Sequence, residues 1–117
     1  MNKQVINFEK NSLVIFDEAG KKMINFPSPI KQIEQFDKVI VVRIHPKADK
    51  FLNENIFGVS YDGKILWQIE KLKYVYKDSP FTGMGREGDF VKLCNWDGTD
   101  LIVNPETGKI IQKGYSK

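Results

Sequence analysis

Short runs of alternating apolar and polar residues, each cut off by a turn that carries glycine, recur along the whole chain. A period of two suits pleated strands, whose successive side chains point to opposite faces. It excludes long amphipathic helices, whose apolar residues return every three to four positions. The runs predict strands near 4–8, 12–17, 22–26, 30–36, 38–45, 55–61, 64–70, 72–77, 89–96, 99–104 and 109–113. Their connections are mostly short enough for antiparallel hairpins. The expected fold is all-β, an antiparallel meander of hairpins that forms a small sandwich, a barrel or propeller-like stacked sheets. Pro46 to Asn55 differs, because Ala48, Phe51, Leu52 and Asn55 fall at helical spacing. It reads as a short helical turn or a loop, being too short for a helix that stands alone.

Two hairpins turn on Asp-Gly, at Asp62-Gly63 and Asp97-Gly98. A two-residue turn at the first would set Ser60 opposite Ile65 and Gly58 opposite Trp67, scattering apolar residues over both faces. A three-residue loop with glycine in the left-handed position shifts the pairing by one and exchanges the faces. In that register Phe57, Val59, Ile65, Trp67 and Ile69 share one face, while Ser60, Lys64 and Gln68 share the other. The second hairpin then gathers Val91, Leu93, Leu101 and Val103. The three-residue loop is therefore expected in both, with one buried and one wetter sheet face. Leu66 and Ile102 are left on the wetter side, which predicts partial cover there.

A chain of 117 residues has material for one domain, and 1–117 reads as a single all-β domain. Compact folds of this size bury roughly two-thirds of the unfolded surface. Eight Phe, four Tyr and two Trp favour pleated surfaces. The net charge of +3 comes from bases and acids that mostly alternate, a weak attraction for nucleic acid or membrane. Cys94 stands alone, so neither an internal disulfide nor a cysteine zinc cluster can form, and a reducing, cytoplasmic location is expected. Met1 to Lys10 lacks the apolar core of a secretory signal. The longest aliphatic run, Val39 to Val42, is far short of the ~20 residues that span a bilayer.

Punctuation also recurs at long range, with Gly20, Gly63 and Gly108 separated by 43 and 45 positions. Such a period is close to that of β-propeller blades. The runs Asp62-Gly63-Lys64-Ile65-Leu66-Trp67 and Glu106-Thr107-Gly108-Lys109-Ile110-Ile111 resemble the turn-and-strand segments of quinoprotein-type propeller blades. The resemblance covers about a quarter of the chain. It implies blade-like sheets, with material for about two and a half blades where propellers usually need four or more. It brings no quinone or metal site. The carboxy-terminal half, with Ile-Leu-Trp-Gln-Ile and Asn-Trp-Asp-Gly before Pro105-Glu106-Thr107-Gly108-Lys109, also resembles small uncharacterised bacterial proteins, and no activity comes with that likeness.

Residues able to carry chemistry are few. His45 is the sole histidine and ends an apolar strand, without the Ser, Cys or Asp pattern of a triad; backbone bonding at a strand end is its expected role. Cys94 lies inside a strand, two residues from Lys92, and is expected to be an inert, partly buried thiol. Phe81 to Asp89, with Gly83, Gly85 and Gly88, reads as a mobile loop. Phosphate loops usually follow a strand and open a helix, whereas a strand follows here. In Lys71 to Lys77 a strand would point Lys71, Lys73 and Lys77 one way and Leu72, Tyr74 and Tyr76 the other. That separates cations from stacking rings and suits an edge strand protected by lysines. The acids near the turns are explained by turn chemistry. No catalytic residue, metal or cofactor is expected.

The expected function is a non-catalytic protein-interaction module, of the kind found among small accessory or immunity-like proteins of bacteria and phages. Its surface is expected to use Leu66, Ile102, Lys71, Lys73, Lys77 and Arg86. The alternative is a single-stranded nucleic-acid-binding small β-barrel using the Lys71 to Lys77 strand. A homodimer is compatible with either, because open sheet edges pair readily with a symmetry mate. A membrane partner is not expected.

Overall fold

The computed structural model of the chain describes residues 4–47 and 50–115, and among these it shows eleven strands and no helix. The strands form three open antiparallel meanders that follow one another in chain order. The N-terminal sheet holds β1 (Val5–Glu9), β2 (Ser12–Asp17) and β3 (Gly20–Asn25). The middle sheet holds β4 (Ile30–Gln35), β5 (Val39–Ile44), β6 (Ile56–Ser60) and β7 (Ile65–Gln68). The C-terminal sheet holds β8 (Phe81–Glu87), β9 (Phe90–Asn95), β10 (Thr99–Val103) and β11 (Ile110–Tyr115). The all-β meander thus forms as stacked sheets, and each sheet stays open instead of closing into a barrel.

The middle sheet is buried on both faces, and β5 shows why. In Val39 to Ile44 the odd residues Val39 and Val41 join a core with Val91, Leu93, Leu101 and Val103 of the C-terminal sheet. The even residues Ile40, Val42 and Ile44 join a second core with Leu13, Ile15 and Ile24 of the N-terminal sheet. A strand covered on both sides needs apolar residues at every position, which is what its aliphatic run supplies. Burying a side chain of that size stabilises the fold by roughly 1.5–3 kcal/mol.

Both Asp-Gly hairpins use the expected three-residue loop. Gly63 and Gly98 have φ of 91° and 89°, in the left-handed region that glycine enters without a Cβ penalty. Ser60 N–H donates to Lys64 O at 2.8 Å, and Gly98 N–H to Asn95 O at 3.0 Å. In the second hairpin the predicted face survives, with Val91, Leu93, Leu101 and Val103 all buried together.

In the first hairpin it does not survive. A bulge between the pairs Val59↔Ile65 and Gly58↔Trp67 shifts the register back. Phe57 and Val59 therefore face the N-terminal sheet, while Trp67 and Ile69 face the C-terminal sheet, and Ile65 is half-exposed. The prediction assumed one dry face, whereas a sheet in the middle of a stack has two.

Two further expectations are corrected. Residues 72–77 form no strand, so Lys71, Lys73 and Lys77 sit on an irregular crossover from β7 to β8 and not on a protected edge. Leu72 packs against the core, and Tyr74 donates its hydroxyl to Glu54 Oε2 at 2.8 Å. Phe81 to Glu87 is no mobile loop but β8, paired along β9. Its phenylalanine and methionine are buried, and that packing outweighs the weak strand preference of its glycines. At Pro46 to Asn55 the described residues form a loop closed by a Lys47↔Phe51 bridge, and Ala48 lies outside the described residues.

Polar side chains stitch the sheets where no ladder runs. Arg43 donates to Gln32 Oε1 at 3.3 Å, and Gln32 Nε2 donates to Met84 O at 2.6 Å, so β5, β4 and β8 form one relay. Asn55, fully buried, donates through Nδ2 to Ile44 O at 2.8 Å and Phe81 O at 3.0 Å, and accepts from Phe81 N–H at 2.9 Å. Ser79 and Asn95 bond each other's side chains nearby, and Asn95 Nδ2 also reaches Ser79 O at 3.0 Å. These bonds fix where the crossover ends and β8 begins.

Candidate functional site

The outer face of the C-terminal sheet follows from its register. Since Val91 and Leu93 point inward, Lys92 and Cys94 point outward together with their ladder partners. One row across the sheet reads Gly83, Cys94, Asp100, Gly114, and the next reads Gly85, Lys92, Ile102, Gln112. Three of the eight positions in these two rows are glycine, and Glu87 and Phe90 continue the face in the next row.

None of these three glycines is left-handed. A Cβ built on Gly85 or Gly114 meets nothing within 4 Å, and one on Gly83 meets only the Cys94 side chain, Cβ at 3.7 Å and Sγ at 4.0 Å, ordinary contacts. Gly83 follows a bulge that shifts the β8–β9 register after Phe81, whereas at Gly85 and Gly114 neither backbone conformation nor internal packing demands glycine, although glycine weakens a strand. Strand glycines otherwise mark a bulge, as at Gly83, or a place where another group can approach the backbone closely.

The floor opens into a recess of about 290 Å³ lined by Glu87, Lys92, Asp100, Ile102, Gln112 and Gly114. Asp100 Oδ2 lies 4.0 Å from Lys92 Nζ, while Asp100 Oδ1 is buried with no hydrogen-bond partner among the described residues. Burial, then the charge of Asp100 and a thiol hydrogen bond to its carboxylate, push the Cys94 thiol up, against a weaker pull from Lys92. A raised pKa keeps the thiol protonated and disfavours nucleophilic chemistry. Cys94 is therefore expected to react with iodoacetamide near neutral pH more slowly than free cysteine, and Asp100→Asn is expected to quicken it several-fold. Equal alkylation rates in the two proteins would show that Asp100 does not hold the proton.

A second exposed face closes the opposite end of the stack. The outer side of the N-terminal sheet places Val5, Phe16 and Lys21 in one row and Asn7, Val14 and Met23 in the next. Val5, Phe16 and Met23 are 61%, 44% and 48% exposed, so this face carries an uncovered apolar patch among Asn7, Glu9 and Lys21.

With the fold and these two faces described, comparison with known families is direct. Residues 3–115 match the model described as domain of unknown function DUF7957. The chain belongs to DUF7957. No curated protein matches it.

In this DUF7957 chain the residues expected to form one interaction surface are dispersed. Ile102 lies on the glycine floor. Leu66 is half-exposed on β7 of the middle sheet, and Lys71, Lys73 and Lys77 lie on the crossover. Arg86 is exposed, but its guanidinium is engaged by its own chain: it stacks 4.1 Å from the Phe36 ring centroid and donates to Gln35 O. This pins the end of β8 beside β4.

His45 behaves as a strand-end residue. Its N–H donates to Pro29 O at 2.8 Å and its Nδ1 accepts from Lys47 N–H at 3.0 Å. It lies at the end of the sheets where β8 begins, since its neighbour Ile44 shares Asn55 with Phe81. Gly88 follows the other end of β8, roughly 20 Å away at strand spacing. Among the described residues no three His, Cys, Asp or Glu side chains gather as a metal would require, and no helix is long and apolar enough to cross a membrane.

Sequence reasoning missed the floor by reading 81–89 as a loop. A usable signal was present: Gly83, Gly85 and Glu87 alternate with Met84 and Arg86, ahead of the turn at Gly88.

Proposed function

We propose that this DUF7957 chain is a non-catalytic protein-interaction module that receives its partner on the outer face of the C-terminal sheet and acts in the cytoplasm. The observation that carries this reading is the set of three strand glycines on one exposed face, of which Gly85 and Gly114 meet no demand from the chain's own packing. Removing side chains from a sheet lets another protein's side chains approach the backbone closely, and the half-covered Ile102 adds apolar area to the contact. The thiol on the same face is held protonated, which suits a docking surface better than a nucleophile.

Gly85→Leu tests it. A leucine there enters open space on a strand, so stability is expected to change by no more than about 0.5 kcal/mol. Affinity capture from the native host is expected to retain a protein on the immobilised wild-type chain and lose it on Gly85→Leu, with Lys71→Ala as a control that keeps it. The same proteins retained by wild type and Gly85→Leu would overturn the assignment.

A further inference from the structure

We infer that the partner seated on the glycine floor is a second copy of this chain, which presents the outer face of its N-terminal sheet. The inference rests on the interaction-module reading above and names the partner.

Within one chain the sheets already stack in sequence, N-terminal on middle and middle on C-terminal, through opposed faces. The two faces left uncovered are the two ends of that stack. Repeat stacks normally finish in polar caps, because an apolar terminal face is a liability in water. Here the N-terminal face is not a polar cap throughout: Val5, Val14, Phe16 and Met23 stand on it among Asn7, Glu9 and Lys21. Those side chains are knobs, and the opposite end offers a floor whose Gly83, Gly85 and Gly114 make room for them. Opposite charges are available in both directions: Lys21 and Glu9 lie exposed on the knob face, while the floor carries Glu87, Asp100 and Lys92.

Area favours this head-to-tail contact over two N-terminal faces meeting each other. Three strands about 4.8 Å apart and about 20 Å long cover roughly 300 Å². A single contact between two such faces buries roughly 600 Å² in total, below the range of specific complexes. Two copies related by a two-fold axis, each placing its knob face on the other's floor, make the contact twice and bury roughly 1,200 Å², where stable interfaces begin. Together they supply six sheets, within the four to eight that close a ring of blades.

Light scattering coupled to size exclusion tests the arrangement. The wild-type chain is expected to elute at twice its mass of 13.5 kDa. Phe16→Glu on one face and Gly85→Leu on the other are each expected to give the monomer with unchanged circular dichroism, and Met23→Lys replaces Phe16→Glu if that variant does not fold. A wild-type monomer, or a dimer insensitive to either face, would overturn the inference. If wild type is monomeric while Gly85→Leu still abolishes capture of another protein, the interaction-module reading stands and the second copy is wrong. If capture is also insensitive, both fall.

Discussion

Gly58→Ala is expected to remove about 3–5 kcal/mol of stability, a large part of the roughly 5–15 kcal/mol that holds a domain folded. A Cβ on Gly58 would lie 2.1 Å from Trp67 Nε1 and 2.2 Å from Cε2, well inside contact distance. The indole cannot retreat, because Gly108 backs its other side: a Cβ there would lie 2.5 Å from Trp67 Cδ2. The ring is thus a plate held between two backbones, anchored by its N–H donating to Pro105 O at 2.8 Å. Adding one methyl group forces the plate out, forfeiting that bond and most of the burial that joins the middle sheet to the β10–β11 turn. Gly108→Ala is expected to be at least as costly, since its φ of 76° adds backbone strain to the clash. Urea unfolding followed by tryptophan emission would measure both, in a Trp96→Phe background because Trp96 is 65% exposed and adds a solvent signal. An unchanged midpoint with Trp67 still emitting as a buried ring would refute the clamp.

Asn55→Asp is expected to cost about 3 kcal/mol or more, although it alters only an amide nitrogen. The Asn55 amide serves three backbone groups at once in a fully buried position. A carboxylate can still accept from Phe81 N–H, but it has no donor for Ile44 O or Phe81 O and faces both with negative charge. Each buried carbonyl left unpaired costs about 1–3 kcal/mol. The pH dependence has a definite sign. Burial raises the folded pKa of the new carboxyl above its unfolded value of about 3.9. The variant is therefore relatively most stable below that value and loses stability as pH rises through the folded pKa. Thermal melts of wild type and Asn55→Asp at about pH 4 and pH 7 are expected to show the gap widening at pH 7. A gap that narrows would mean that the amide does not bind these carbonyls.

These two positions also show where sequence reading reaches its limit. The hairpin at Asp97-Gly98 was legible down to its faces, because a left-handed glycine and an apolar alternation on either side are all it needs. The same logic at Asp62-Gly63 found the loop but missed the bulge two residues beyond it. That bulge answers to Trp67, whose partners Gly58 and Gly108 come from two different sheets. Of the residues expected at the interaction surface, Ile102 lies on the candidate floor, whereas Arg86, still exposed, is held over Phe36, fifty positions earlier in the chain. The floor itself was hidden because Gly83 and Gly85 look like loop residues until β9 pairs with them.

Turn chemistry and side-chain alternation act between residues a few positions apart, so they settled, before any folding, that this polypeptide would run as successive antiparallel ribbons. They could not settle which side of a ribbon would be dry, because burial depends on what arrives from elsewhere. The middle sheet became wet on neither face only when sheets from both ends of the chain closed over it, and β8 became a strand only once Asn55 and β9 held it in place. Long-range contacts of that kind have no local signature: their free energy exists only in the assembled stack, and with it the glycine face that the stack leaves open.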